Sequence, residues 1–249
     1  MVKGLVLITG ASGLLGRQVL QVFKENDWDV TGLCFSKPIE GLIQHDITDS
    51  EATIQLIKQI KPNLVVHCAA QRFPDQMEKD LEKSWNLNVT SNRTLSQVYM
   101  LTLDQSTNLL QGETVVRENP SNIVLRIPVL YGNVKNLQES ALTSLLDTVK
   151  SGKPGKISSY EVRCPAHTDD IAKILLDLAN IVQTLEVNIV FCNLDNVLNS
   201  SSAQELSGPS PGAPRPRDVE MDRSKLLDLG IKHHTSFNKG FMEAMQPFL

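Results

Sequence analysis

The stretch "LVLITGASGLLGRQVL", residues 5–20, decides the fold. It opens with an apolar run that predicts a buried strand, passes through a glycine-rich turn, and ends in an amphipathic helical pattern. Gly10, Gly13 and Gly16 lie directly between that strand and that helix. Glycines there allow a tight bend, close approach of a pyrophosphate to the backbone, and packing of the helix on the sheet. Because the N–H groups at the helix start can receive phosphate, the loop predicts dinucleotide binding.

Strand and helix patterns alternate through the first half of the chain. Further apolar strand-like runs and amphipathic helical runs follow at residues 28–35 (strand), 50–61 (helix), 63–70 (strand), 79–98 (helix) and 121–132 (strand). This alternation predicts an α/β fold with a Rossmann-type doubly wound parallel sheet. The pattern requires one more strand before residue 121, and the short run 98–103 is the candidate for a substitute strand.

The second half of the chain has a different pattern. It shows helical runs, one strand-like run and a segment rich in Ser, Pro and Gly, at residues 136–152, 168–183 and 222–231 (helices), 185–194 (strand) and 200–218 (Ser/Pro/Gly). We therefore predict a dinucleotide-binding domain over residues 1–135 and a smaller C-terminal α/β lobe over residues 136–249, interleaved with the first. That second lobe is expected to bind a substrate or a partner.

The charge balance excludes several classes of partner. The chain has 24 Lys and Arg against 28 Asp and Glu, a net charge of −4, so it has no basic field for nucleic acid or an anionic membrane surface. The apolar start is too short for a signal or spanning segment. The four cysteines, Cys34, Cys68, Cys164 and Cys192, are widely spaced, which favours buried reduced thiols. We therefore expect a cytoplasmic protein without a nucleic-acid or membrane partner.

The end of the second predicted strand bears on the choice of dinucleotide. NAD-selective sites place Asp or Glu there, against the ribose 2′-hydroxyl. This chain has Phe35, Ser36 and Lys37 instead. A hydroxyl and a cation suit a 2′-phosphate, which favours NADP; the alternative is that Lys37 is an ordinary solvated lysine. Asp46 and Ile47, after the next short run, are positioned to contact the adenine.

The third strand ends in small residues that leave room for the nicotinamide end of the cofactor. Arg72, just beyond, is a candidate for cofactor phosphate or ribose, with a surface ion pair as an equal alternative. The predicted cofactor-binding residues are Gly10, Ser12, Gly13, Leu14, Leu15, Gly16, Phe35, Ser36, Lys37, Asp46, Ile47, Cys68, Ala69, Ala70, Arg72 and Leu130. No metal ligands are predicted.

Stretches spread along the whole chain resemble the extended short-chain dehydrogenase/reductase family. They include "VLITGASGLLGRQV" (6–19), "VVHCAAQRFPD" (65–75), "VLRIPVLYGNV" (124–134) and "RPRDVEMDRSKLLDLGI" (215–231). The branch they resemble holds dTDP-4-dehydrorhamnose reductases and the regulatory beta subunits of methionine adenosyltransferase, and the likeness to the second group is more specific. It implies a chain that binds NADP and attaches to the catalytic subunit of methionine adenosyltransferase, modulating S-adenosylmethionine synthesis.

The resemblance also implies missing parts. The family's Ser-Ser-Asp-Tyr strand has no counterpart, and the helix with Tyr-x-x-x-Lys is represented only by its second half, residues 109–119, so that Gln105 and Leu109 take the positions of the tyrosine and lysine. The chain stops at Leu249, before the family's tail that inserts into the catalytic subunit. A non-catalytic regulatory subunit is therefore implied. The alternatives are a reductase of a keto sugar nucleotide that uses another acid, and a shortened product that folds poorly because its sheet edge is exposed.

Tyr131 and Lys135 have the spacing of a catalytic pair, but that chemistry needs both on one helix face. Tyr131 follows a β-branched run and precedes Gly132, so we predict a strand-end residue near the cofactor cleft, and a surface lysine at 135. His67 is predicted to be a core residue, and His167 a loop residue or cap partner. Other polar candidates are expected in a polar tail or a phosphate-binding or structural role: His233, His234, Arg215 and Arg217.

Overall fold

A six-stranded parallel sheet forms the centre of the protein. The structure is a computed structural model and describes residues 2–71, 79–96, 100–104, 110–152, 163–185 and 221–249. The strands are β1 (Leu5–Thr9), β2 (Asp29–Cys34), β3 (Leu42–Gln44), β4 (Leu64–His67), β5 (Met100–Asp104) and β6 (Ile123–Arg126). They lie in the order β3-β2-β1-β4-β5-β6, and each neighbouring pair is parallel. This is the strand order of a doubly wound dinucleotide-binding fold, so the predicted fold class is confirmed.

Helices connect the strands and cover both faces of the sheet. In the first half they are α1 (Leu14–Glu25), α2 (Ser50–Ile60), α3 (Leu81–Trp85), α4 (Ser91–Leu95) and α5 (Leu110–Arg117). In the second half they are α6 (Thr143–Lys150), α7 (Thr168–Leu185), α8 (Ser224–Asp228) and α9 (Phe237–Met245), with short 3-10 turns at Leu137–Glu139 and Gln246–Phe248. Two short strands, β7 (Leu130–Tyr131) and β8 (Ala166–His167), pair in parallel as a second sheet.

The alternation of side chains along β1 divides the core between the two faces of the sheet. Val6 and Ile8 belong to the larger apolar cluster, which α1 and α7 cover, whereas Leu7 belongs to the cluster on the opposite face. All three side chains are fully buried. A strand that is apolar at every position is what a parallel sheet covered on both faces requires.

The short substitute strand predicted at residues 98–103 is confirmed as β5. Its register pairs Met100 with Val65 of β4, and Leu101 with Ile123 of β6. The sheet therefore has a strand at the position where the family pattern appeared to lack one. The edge of β4 is therefore paired and not exposed, while the alternative of a poorly folding product stays a hypothesis for a thermal melt to test.

Three local features differ from the sequence-based expectations. The helix predicted over residues 79–98 is interrupted by a π-helical turn, Asn86–Thr90, between α3 and α4. Neither β3 nor the C-terminal helix α9 was expected from the pattern. The strand predicted at 185–194 and the segment 200–218 lie outside the described residues.

The C-terminal segment is tied to α7. The carboxylate of Asp170 accepts hydrogen bonds from the backbone N–H (2.6 Å) and the hydroxyl (2.9 Å) of Thr235. α7 in turn packs along α1, so residues from both predicted lobes share the larger core. The exact division at residue 135 stays a prediction. None of the helices in the described parts of the chain is long and apolar enough to cross a membrane.

Candidate functional site

The glycine loop brings the start of α1 against the carboxyl edge of the sheet. Gly10 has φ of +64°, and a Cβ there would lie 2.8 Å from the backbone nitrogen of Ala69. A Cβ on Gly16 would collide with the carbonyl group of Gly10, with 2.7 Å to its carbon. Both positions therefore need glycine, one for its conformation and both for the close approach of backbones.

The N-terminus of α1 differs from those of the helices beside it. α2 and α3 begin with aspartates, Asp49 and Asp80, whose carboxylates accept the N–H groups of Ala52 and Lys83, each at 3.0 Å. The N-cap of α1 is Gly13, which makes no side-chain cap hydrogen bond, and the first turn of α1 has no acidic residue. Its first N–H groups and the positive end of its dipole thus remain available to an anion.

A cavity of about 650 Å³ opens directly over this helix start. Its lining includes every predicted cofactor residue except Lys37, which is exposed but not in the lining, and Arg72, which lies outside the described residues. The lining residues from that prediction are Gly10, Ser12, Gly13, Leu14, Leu15, Gly16, Phe35, Ser36, Asp46, Ile47, Cys68, Ala69, Ala70 and Leu130. The volume is in the range of cofactor and small-ligand sites.

The end of the cavity near β2 and β3 combines an aromatic ring with polar groups. Phe35 is 57% exposed and stands at the rim, and Ser36 follows it in the lining. The thiol of Cys34 donates to the carbonyl of Lys37 (3.3 Å), which fixes the turn. The carboxylate of Asp46 is engaged locally, since it accepts from the N–H (2.9 Å) and the hydroxyl (2.6 Å) of Thr48.

Further residues of the cavity lining were not predicted to bind the cofactor. These include Asp80, Glu82, Lys83, Asn86 and Leu87 from α3 and the π-helical turn, together with Leu33, Cys34, His45, Thr48, Ile127 and Glu139. The helix that follows β4 begins at the same sheet edge as the glycine loop. Its first residues could have been placed in the site by that topological argument, because ligands of doubly wound sheets bind outside the carboxyl ends of the strands.

An ion pair joins the glycine loop to the segment after β7. The guanidinium of Arg17 donates to the carbonyl of Ser12 (2.9 Å) and to both carboxylate oxygens of Glu139 (2.6 and 3.0 Å). Burial alone would raise the pKa of Glu139, but the hydrogen bonds from Arg17 and from the backbone of Lys135 outweigh it and hold that pKa below its ordinary value. Glu139 is therefore a charged residue of the cavity wall that links the segment after β7 to α1.

Two titratable groups follow each other at the end of β4, the buried His67 and Cys68, which lines the cavity. His67 is buried, as predicted, and its Nδ1 shares a 2.6 Å hydrogen bond with the hydroxyl of Thr9. Burial lowers the pKa of His67 to about 4 and raises the pKa of the Cys68 thiol to about 12. Near neutral pH the histidine is thus uncharged and the thiol protonated, which makes Cys68 a poor nucleophile.

Tyr131 and Lys135 do not form a pair on a helix. Tyr131 belongs to β7 and is fully buried, whereas Lys135 is exposed in the segment before the 3-10 turn. Tyr131 ends β7 as expected, and its neighbour Leu130 lines the cavity, but the ring of Tyr131 packs against His167, Phe237 and Phe241 beneath α9. The ring belongs to the C-terminal core, and burial, with smaller effects from acidic neighbours, raises its pKa.

The remaining predictions concern the partners of two histidines and the burial of the cysteines. The Nδ1 of His167 accepts from the N–H of Asp169 (3.3 Å) at the start of α7, as expected of a cap partner. His233 was expected in a polar tail with no acidic pair at metal-ligand spacing, and its ring contacts the carboxylate of Asp177 of α7 at 2.7 Å. Cys34 is buried as expected, while Cys164 is exposed. Among the described residues no cluster of potential metal ligands is found, and Arg215, Arg217 and Cys192 lie outside them.

Comparison with known proteins gives matches along nearly the whole chain. A family model described as the RmlD substrate binding domain matches residues 4–100. Methionine adenosyltransferase 2 subunit beta from Mus musculus is 32% identical over 98% of this chain and 88% of its own length. The protein of that name from Danio rerio is 29% identical over 98% of this chain and 90% of its own length.

Solved structures share the fold at lower identity. The dTDP-4-dehydrorhamnose reductase of Bacillus anthracis, in complex with NADP, superposes with a TM-score of 0.74 at 17% identity and covers 99% of each chain. The Bordetella bronchiseptica enzyme WbmG, in complex with NAD, gives a TM-score of 0.74 at 18% identity, covering 98% of this chain and 94% of its own. At these identities the likeness establishes the architecture alone.

Proposed function

The chain belongs to the family of methionine adenosyltransferase 2 beta subunits, and we propose that it is a non-catalytic regulatory subunit of methionine adenosyltransferase that binds NADP. In this proposal it associates with the catalytic subunit in the cytoplasm and modulates the synthesis of S-adenosylmethionine. The Bacillus anthracis protein of the same fold is described in complex with NADP, which supports a nicotinamide dinucleotide as the ligand.

One observation carries the binding part of the proposal. The uncapped N-terminus of α1 faces a cavity of about 650 Å³ across a turn in which a Cβ at Gly10 or Gly16 would meet backbone. A pyrophosphate fits this environment, because it supplies the acceptors that the first-turn N–H groups lack and the negative charge that the helix dipole favours. Gly10, Ser12, Gly13, Leu14, Leu15 and Gly16 are the residues proposed to hold it.

The preference for NADP over NAD is supported at the far end of the cavity. Selectivity for NAD needs a carboxylate free to accept the ribose 2′-hydroxyl. The residues after β2 are Phe35, Ser36 and Lys37, none of them acidic, and the Oδ1 atom of the nearby Asp46 already accepts two hydrogen bonds from Thr48. A 2′-phosphate would meet a hydroxyl and a nearby cation instead.

The non-catalytic part is supported by the state of three candidate proton donors, His67, Cys68 and Tyr131. Hydride transfer to a carbonyl needs a proton donor within reach of the substrate. Cys68 holds its proton too tightly, with a pKa raised to about 12. His67 is neutral and bonded to Thr9, and Tyr131 is buried beneath α9. None of these three is placed as the acid of a reductase.

Titration calorimetry of the purified chain with NADPH and with NADH tests the binding step. We expect saturable binding of NADPH and weaker binding of NADH. Lys37→Ala should weaken NADPH about threefold to tenfold, the effect of one exposed charge on a phosphate, and leave NADH unchanged. Lys58→Ala, an exposed lysine on α2, is the matched control. Absence of NADPH binding by the folded chain would remove the proposal.

Partner binding and catalysis need separate measurements. Co-purification with the catalytic subunit of methionine adenosyltransferase should give a complex, and a clean failure to associate would refute the regulatory role. The RmlD match keeps one other function in view, an NADPH-dependent reductase of a keto sugar nucleotide. Substrate-dependent oxidation of NADPH at a steady rate would establish that function in place of the non-catalytic one.

A further inference from the structure

Arg17 of α1 connects the glycine loop to the segment that follows β7. Its guanidinium donates to the carbonyl of Ser12 in the loop (2.9 Å). It also donates to the carbonyl of Asn133 (3.3 Å) and to the carboxylate of Glu139 in the segment. The side chains of Arg17 and Glu139 are 23% and 19% exposed, so the pair is largely shielded from water. One side chain thus joins the peptide group at the N-cap of α1 to a part of the chain 122 positions away.

Both of the parts that Arg17 joins contribute to the lining of the cavity. Ser12 belongs to the lining beside the start of α1, and Leu130 and Glu139 belong to it on the side of β7. The buried hydroxyl of Ser140 donates to the carbonyl of Leu130 (2.7 Å), which holds the 3-10 turn that ends at Glu139 against β7. The lining around Glu139 is therefore attached to β7 by Ser140 and to α1 by Arg17.

Glu139 brings a negative charge to a cavity whose helix N-terminus is suited to an anion. An uncompensated carboxylate there would repel a pyrophosphate, and burial strengthens the repulsion because less water screens it. The two oxygen atoms of Glu139 accept from Arg17 (2.6 and 3.0 Å), and Oε2 also accepts from the backbone N–H of Lys135 (2.7 Å). The bidentate pair places a full positive charge against the carboxylate. Arg17 therefore makes a charged wall compatible with an anionic ligand.

We propose that Arg17 is a positioning residue for the dinucleotide, which holds the two parts of the lining together and cancels the charge of Glu139 between them. The inference rests on the proposed NADP site. Arg17 is not itself part of the lining, so its effect passes through Ser12 and Glu139. Without the guanidinium, the dinucleotide would meet an uncompensated carboxylate and a loop that must be ordered on binding, and both weaken affinity.

Calorimetric titration of NADPH tests this role. Arg17→Ala should raise the Kd about tenfold, because the carboxylate of Glu139 loses the charge that compensates it. Adding Glu139→Gln to Arg17→Ala should recover at least about threefold of that affinity, since it removes the remaining negative charge. A purely structural role of the ion pair predicts instead that the double variant binds no better than Arg17→Ala. Raised salt should narrow the difference in Kd between Arg17→Ala and the unmodified chain, because it screens the exposed charge.

Gln18→Ala is the matched control for loss of a contact made by α1. Gln18 is the next residue of the same helix, and its Nε2 atom donates to the carboxylate of Asp169 at the start of α7 (3.1 Å). Neither Gln18 nor Asp169 lines the cavity. This variant should lower the Tm, as Arg17→Ala does, but leave the Kd of NADPH unchanged.

Two results would overturn the inference. One is an unchanged Kd in folded Arg17→Ala, and the other is a double variant that binds NADPH no more tightly than Arg17→Ala. Should Arg17→Ala not fold, Arg17→Gln, which keeps a hydrogen-bond donor and loses the charge, decides by the same comparison. Failure of the unmodified chain to bind NADPH would instead contradict the proposed function.

Discussion

Replacing Gly16 by alanine is the most direct perturbation of the proposed phosphate site. The added Cβ would lie 2.7 Å from the carbonyl carbon of Gly10 and 2.8 Å from the Cα of Ala11, and closer still to the carbonyl oxygen of Gly10. Every one of these neighbours is backbone, so no side chain can rotate away. To reach an ordinary 3.4 Å contact with that carbonyl carbon, the turn and the start of α1 must separate by about 0.7 Å, and by more to clear the carbonyl oxygen.

This displacement sets the expected magnitudes. Overpacking of a tight contact costs about 1–3 kcal/mol of stability, which for a chain of 249 residues lowers the Tm by roughly 2–10 °C. The first-turn N–H groups of α1 move with the helix start. A bound phosphate would then lose part of its hydrogen bonding and its alignment with the dipole, so NADPH affinity should fall at least about tenfold.

The assay is calorimetric titration of NADPH, with thermal unfolding measured on the same samples. Gly132→Ala serves as the control, since its Cβ would collide with the side chain of Thr168 at the start of α7, and neither residue lines the cavity. It should lower the Tm and leave the Kd unchanged. If Gly16→Ala binds NADPH as tightly as the unmodified chain, the glycine loop does not hold the ligand and the proposed site is wrong.

Three further substitutions test two residues at the cavity and one in the C-terminal core. The pKa of His67 is lowered to about 4, so the buried ring stays neutral at pH values where the unfolded chain takes up a proton. The contribution of His67 to the free energy of unfolding should be full above pH 6.5 and fall by up to about 3 kcal/mol towards pH 4. Urea unfolding of His67→Gln should lack this contribution to the pH dependence. Glu139→Gln should cost about 1 kcal/mol at pH 7 through the lost bonds to Arg17. Because the pKa of Glu139 is lowered in the fold, this difference should shrink as acid protonates the carboxylate, and a constant difference would count against the ion pair. Tyr131→Phe should leave NADPH affinity unchanged and stability within about 1 kcal/mol, since the structure gives the buried hydroxyl no hydrogen-bond partner; a loss of affinity would place Tyr131 in the site.

The order of the fold could be read from the sequence because each strand of a parallel sheet is a continuous apolar run followed by a helix. β1 and β4 have this signature, and β1, β2 and β4 were predicted within a few residues of their bounds, whereas the strand predicted at 121–132 is divided into β6 and β7. The π-helical turn at Asn86–Thr90 could not be predicted in that way, because it depends on tertiary contacts. Asn88 reaches Gln71, and Gly112 brings α5 close to the turn, and neither relation has a local periodic signal.

The site was predictable where backbone geometry dictates residue type. Glycine is required at positions 10 and 16, because any Cβ there would make contacts under 3 Å. The loop can therefore be recognised from its glycines in the sequence. The wall formed by Lys83, Asn86 and Leu87 carries no such requirement, and nothing in their spacing separates them from an ordinary exposed helix face. The spacing of Tyr131 and Lys135 shows that a sequence pattern can also mislead. It is the spacing of a catalytic pair on a helix, but Tyr131 lies at the end of strand β7, where the two residues do not form such a pair.

Binding and chemistry make different demands on the same cavity, and the proposed function rests on the first of them. Binding a dinucleotide requires fixed backbone donors and a wall held in place, which the uncapped α1 and the ion pair of Arg17 with Glu139 supply. Reduction requires in addition a donor whose pKa lies near the working pH. Here burial moves the pKa of His67 down to about 4 and that of Cys68 up to about 12, so both lie away from neutrality, in opposite directions. The proposed function therefore predicts that NADPH raises the Tm of the chain without being consumed.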